Sequence, residues 1–159
     1  MKFAADSSLL VRLYVRDSHT QSIERFLIKD AKILSVSELA RVEVLNVLLR
    51  REGPAARFLD DLDEEIRVRI ESLNWPDAFR LAESLARRFS RTLKPGGHDL
   101  VLVAAAVTAG AAWFLSFDRD SCQRTLAAAA GLHVWPPLNK TEQGLARHAT
   151  QQPSRRTGG

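Results

Sequence analysis

The stretch HDLVLVAAAVTAGAAWFLSFDRDSC, residues 98–122, decides the fold. From Leu100 to Val107 it is apolar on every side, with Thr108 polar near its end and Gly110 as a stop. A helix without a polar face has to be buried. Asp99, in its first turn, suits the positive end of the helix dipole. Ala112–Phe117 is then a short apolar and aromatic run that ends at Asp118, with Asp120 two residues on. A run of that kind reads as a strand covered on both faces. Buried helix, glycine and buried strand in succession are one step of an alternating α/β chain.

Working outward, the same alternation recurs. Lys2–Ala5, Lys32–Val36, Val68–Leu73 and Leu132–Trp135 read as four further strands. Helices are expected after Asp6-Ser7-Ser8, around His19–Ile28, from Ser37 to about Arg51, over Pro54–Arg67, from Pro76 to about Phe89, over His98–Ala109 and over Arg119–Ala130. Cap residues, glycines and prolines at their ends supply the boundaries. Strands that alternate with helices imply an α/β domain with a mostly parallel sheet. Ligands of such sheets bind outside the carboxyl ends of the strands. The domain is expected to span residues 1–138. Residues 139–159 are polar, lack periodicity and end in SRRTGG, so they are expected to form a disordered tail.

Composition bounds the function. The chain has 159 residues and a net charge of +4, enough for one domain with a real core. Lys140, Arg147, Arg155 and Arg156 stand against Glu142 alone in the tail, so the basic balance says little about nucleic-acid binding by the folded part. No apolar run approaches the roughly 18 residues of a membrane span, and the N-terminus shows no secretory signal. The single cysteine, Cys122, forbids an internal disulfide, and a cytoplasmic location is expected. No His or Cys spacing suits zinc.

Four acids stand out by position. Asp6 and Asp118 each follow a strand and precede a helix, and either could be a helix cap. Asp99 could serve the helix dipole. Glu43 has no such duty, because it lies in the middle of SELARVEVLNVLLRR. At about 100° per residue, Glu43, Asn46 and Arg50 share a narrow polar stripe. Ala40 and Val47 flank it on one side, Val42 and Leu49 on the other. A lone carboxylate in apolar surroundings needs a partner, and Arg50 is one candidate. Taken together, the acids could converge at the carboxyl edge of the sheet. Clustered carboxylates must be neutralised by protons or a cation, and oxygen-only ligands suit Mg²⁺ or Mn²⁺. The run Asp61, Asp63, Glu64 and Glu65 reads instead as a solvated helix face.

These motifs, in this order, resemble the PIN-domain ribonucleases and among them the VapC-like toxins of toxin–antitoxin pairs. The residues that carry the resemblance are ADSS (5–8), SELARVEVLNVLLRR (37–51), HDLVLVAAAV (98–107), SFD (116–118) and AAAAGLHVWPP (127–137). The resemblance implies a Rossmann-like, three-layer αβα sandwich around a central five-stranded parallel sheet. It implies a Mg²⁺- or Mn²⁺-dependent endoribonuclease with Asp6, Glu43, Asp99 and Asp118 as catalytic acids. Asp6, Asp99 and Asp118, with Glu43 as a further ligand or water-orienting group, would hold the ion. Ser7 and Ser116 would hold carboxylates or a metal-bound water by hydrogen bonds, and Asp120 and Asn46 would stand in support. Arg50, Arg87, Arg88, Arg91 and Lys94 are candidates to steer RNA phosphates. A tRNA or other structured RNA, a cognate antitoxin and a second copy of the chain are the implied partners. The competing reading is a PIN-fold module that binds RNA or protein without catalysis. His98, beside Asp99, reads as an ordinary residue of a helix start.

Overall fold

A computed structural model describes residues 1–29 and 32–151. Five strands form one sheet: β1 (Phe3–Ala5), β2 (Leu34–Val36), β3 (Val68–Ile70), β4 (Trp113–Leu115) and β5 (His133–Trp135). Their order is β3-β2-β1-β4-β5, and every pairing is parallel. The connecting helices are α1 (Ser7–Tyr14), α2 (Thr20–Ile28), α3 (Glu38–Arg50), α4 (Ala55–Asp63), α5 (Trp75–Leu93), α6 (Gly97–Thr108) and α7 (Gln123–Ala129), with α8 (Lys140–Gln151) after β5.

The two faces of the sheet are separately covered, which makes the three layers. Successive residues of a strand point to opposite faces, and β1 shows it. Phe3 and Ala5 join a core with Leu9, Leu13, Val44, Leu48 and Phe58. Ala4 joins the other, with Leu85, Phe89, Val103, Phe114 and Leu126. Helices α1 to α4 thus lie on one face and α5 to α8 on the other. The chain starts at the centre, builds outward through β2 and β3, then returns to place β4 on the other flank of β1. The strand order reverses between β1 and β4, and there the crevices of open parallel sheets form.

All five expected strands are present as shorter cores, and α6 is buried as its composition requires. Four boundaries differ. Helix α4 ends at Asp63 instead of Arg67, with Glu64 as its C-cap. Helix α5 runs on to Leu93, which is buried at the end of the spacing Ala82, Leu85, Phe89, Leu93, and the left-handed Lys94 closes it. Helix α7 begins at Gln123 instead of Arg119. Residues 140–151 are a helix where a disordered tail is expected. A reciprocal cap starts it: Glu142 N–H donates to Asn139 Oδ1 at 2.9 Å, and Asn139 N–H to Glu142 Oε2 at 2.7 Å. Ala146 and Ala149 are buried against the domain. Residues 152–159, the rest of the expected tail, lie outside the described residues.

Arg124 ties this helix to the sheet. It is 1% exposed. Its Nε donates to Glu142 Oε1 at 2.9 Å, and its remaining nitrogens reach the carbonyls of Ser116, Pro136 and Pro137. Burial acts to raise the Glu142 carboxyl, but the bonds from Arg124 and Asn139 hold it below its ordinary value. Asp61 is a further departure from expectation. It is buried, accepts from Tyr14 Oη at 2.8 Å and Arg67 Nε at 2.9 Å, and joins α1, α4 and the approach to β3. Asp63, Glu64 and Glu65 are exposed, as a solvated face should be.

Candidate active site at the carboxyl ends of β1 and β4

Asp6 leaves β1 and caps α1, its Oδ1 accepting from Leu9 N–H at 3.0 Å. Its backbone N–H continues the sheet ladder to Leu115 O at 3.1 Å, so the carboxylate is fixed at the junction of β1 and β4. Ser8 Oγ donates to it from 2.8 and 2.9 Å. Ser116 Oγ, just beyond β4, donates to Asp6 Oδ2 at 2.8 Å. Gln123 Nε2 donates to that same oxygen at 2.8 Å. Asp6 is nonetheless 2% exposed. Burial dominates and pushes its pKa up to about 6; the Leu9, Ser116 and Ser8 bonds oppose this, and the Asp118 charge adds a smaller upward push.

Asp118 stands opposite. Gln123 Nε2 also donates to its Oδ2, at 3.1 Å, so one amide bridges the two acids. Asp118 Oδ1 accepts from the N–H groups of Asp120 and Ser121 at 2.9 and 3.2 Å. Those bonds build a turn and explain the late start of α7. Asp118 is therefore a turn residue and not the cap of that helix. Ser116 Oγ accepts from Asp118 N–H at 3.1 Å, which locks the loop to the end of β4.

Asp99 is buried in the first turn of α6, its carboxylate accepting from Gly96 N–H at 3.0 Å. Burial, with the Asp99 charge second, raises the Cys122 thiol pKa. Glu43 projects from α3, and its Oε1 lies 2.7 Å from His98 Nε2. Its Oε2 is buried and has no hydrogen-bond partner among the described residues.

Several expectations change here. The partner of Glu43 is His98, not Arg50, and this pair links α3 to the start of α6. Ser8, not Ser7, holds Asp6. Asp120 is exposed and enters only through its backbone N–H. Asn46 is exposed on α3. Val42 and Leu49, expected to flank a buried stripe, are 63% and 67% exposed. Of the cation candidates, Arg87 lies 3.9 Å from Glu83 on a fully solvated face, and Arg88 lies over Phe89. Arg50, Arg91 and Lys94 are exposed. Ser7, Ser8, Arg12 and Arg51 help to line a cleft of about 310 Å³ beside α1 and α3. Gln123 carries no motif in the sequence. Its one signal is a polar pair, Gln123-Arg124, at the head of a run of alanines.

Among the described residues, no three His, Cys, Asp or Glu side chains stand together as a ready cage for a metal ion. The donor set still fits a hard divalent cation. The acids offer oxygen ligands only, and a buried, partnerless oxygen on Glu43 is an acceptor that a cation or its water would satisfy.

The family model described as PIN domain matches residues 4–128. Among solved structures, the chain is similar to VapC20 of Mycobacterium tuberculosis, a sarcin–ricin loop cleaving toxin. That similarity is 22% identity over 85% of this chain and 100% of the other, with a TM-score of 0.62. It is also similar to PAE2754 from Pyrobaculum aerophilum, at 17% identity over 96% of this chain and 91% of the other, with a TM-score of 0.51. No curated protein matches the chain.

Proposed function

The chain belongs to the PIN domain family, and on that premise we propose that it is a divalent-metal-dependent endoribonuclease, the toxin of a toxin–antitoxin pair. The observation that carries the reading is the pairing of Asp6 and Asp118 through one amide at the point where the strand order reverses. The likeness in fold to a toxin that cleaves the sarcin–ricin loop supports RNA as substrate. A structured RNA, tRNA included, is the substrate class, and the cytoplasm is the compartment. No helix among the described residues is long and apolar enough to cross a membrane.

Asp6 and Asp118 would hold Mg²⁺ or Mn²⁺, with Asp99 and Glu43 completing the acidic ring. The ion supplies positive charge against the anionic phosphodiester and makes water a better nucleophile. Ser8 and Ser116 keep the Asp6 carboxylate in one orientation. Glu43, with one oxygen held by His98 and the other without a partner among the described residues, would accept a proton from attacking water. Arg12 and Arg51, in the cleft beside Ser7 and Ser8, join Arg50, Arg91 and Lys94 as cations for flanking phosphates. The exposed Val42 and Leu49 on α3 offer apolar surface to an antitoxin or a second copy.

The opposing reading, a binding module without catalysis, draws on the satisfied state of Asp6, whose carboxylate already has protein donors. Total RNA incubated with the protein and Mn²⁺ decides between them. Discrete fragments that disappear on chelation are expected; intact RNA that binds without Mn²⁺ would favour the module.

A further inference from the structure

We propose that the Gln123 amide holds the place of the cation between Asp6 and Asp118, and that a divalent ion must displace it to bind. The proposal rests on the metal-dependent reading above. A carboxylate offers roughly four lone-pair sites. On Asp6 these are matched by Leu9 N–H, Ser8, Ser116 and Gln123. Some donor must therefore leave before Asp6 can take an ion. Leu9 N–H is fixed in the first turn of α1. Ser8 Oγ is pinned from its other side by Phe117 N–H at 2.9 Å, and Ser116 Oγ by Asp118 N–H at 3.1 Å.

Gln123 is held differently. Its Nε2 lies 2.8 Å from Asp6 Oδ2, 3.1 Å from Asp118 Oδ2 and 3.2 Å from Ser116 Oγ. Its Oε1 is buried and has no partner among the described residues, and the residue is 3% exposed. Only the acids and their serine anchor the amide, and they anchor one end of it. A neutral NH₂ group between two carboxylates supplies hydrogen bonds but no charge, so a cation at that point is the stronger occupant. Gln123 is thus a positioning residue: it keeps the two carboxylates facing each other when no ion is present and is released when one arrives.

Mn²⁺ titration by calorimetry, with the wild type, Gln123→Ala and Gln123→Met side by side, tests this. Met keeps the buried volume and removes the donor, which guards against a folding defect in the Ala variant. Both variants should bind Mn²⁺ about tenfold more tightly, since no donor has to be displaced, and both should melt at lower temperature without metal. The three melting temperatures should converge in saturating Mn²⁺. A residue that merely supports the fold would leave affinity unchanged or weaken it, and either result overturns the displacement. In the wild type, Mg²⁺ should shift the Gln123 side-chain NH₂ resonances and speed their hydrogen exchange; Mg²⁺ binding that leaves them unmoved also overturns it. If neither wild type nor variants bind metal, the metal-dependent reading itself fails and takes this inference with it.

Discussion

Replacing Asp6 by asparagine should change how stability depends on pH more than it changes stability at any one pH. The Asp6 carboxyl titrates near pH 6 in the folded chain, raised from 3.8, with burial as the main cause. The folded state thus binds this proton more tightly than the unfolded state. Stability from it is complete below pH 3.8 and is lost as pH rises through 6. A shift of that size corresponds to about 3 kcal/mol between the two plateaus. The asparagine amide of Asp6→Asn carries no titrating proton and keeps an acceptor for Leu9 N–H and Ser8. Urea unfolding with chelator present, from pH 4 to pH 8, should show wild type gaining on Asp6→Asn by about 2.5 kcal/mol as pH falls, most of that difference. The difference between the two proteins isolates this carboxyl, because other titrating groups contribute to both. A difference that stays constant across the range would refute the claim that Asp6 is buried at a cost.

Three further outcomes follow from the same contacts. Ser116→Ala removes a hydrogen bond that lowers the Asp6 pKa, so the Asp6 carboxyl, followed by NMR, should titrate higher than in wild type. Mn²⁺ affinity should fall below pH 6, because the Asp6 proton and the ion compete for one carboxylate; calorimetry at pH 5 and pH 7.5 measures it. Arg124→Ala leaves Glu142 and the carbonyls of Ser116, Pro136 and Pro137 without their buried donor. A loss of about 3–5 kcal/mol in urea unfolding is expected, with α8 the first element to lose amide protection in hydrogen exchange.

The parallel sheet was legible because its strands are short, apolar and separated by helices with clear stops. Asp6 and Asp99 were legible as acids at helix starts, and both do hold backbone N–H groups there. Glu43 stood out because nothing local explains a carboxylate in the middle of a helix. Its partner was hidden, since His98 lies on α6 and no periodicity connects it to α3. Gln123 was hidden for a related reason: its chemistry depends on three acceptors from β1, β4 and the following loop, assembled only by the fold. Helix α8 was missed because two alanines make its buried contact, too weak an apolar signal to outweigh a polar composition. The Asn139–Glu142 capping box was nevertheless present in the sequence. Asp61 looked like its exposed neighbours, and only the approach of Tyr14 and Arg67 distinguishes it.

If the Asp6–Asp118 pair holds the ion that cleaves RNA, removing one of its two charges should disable cleavage and spare the fold. The quantity to measure is the single-turnover cleavage rate of one structured RNA in saturating Mn²⁺, for wild type and for Asp118→Asn. The asparagine keeps the oxygen that builds the Asp120–Ser121 turn, so the fold should survive, confirmed by circular dichroism. The expected loss is at least about a hundredfold, the scale on which removal of one key electrostatic group acts. A folded Asp118→Asn protein that cleaves at the wild-type rate would contradict the assignment of the ion to this pair.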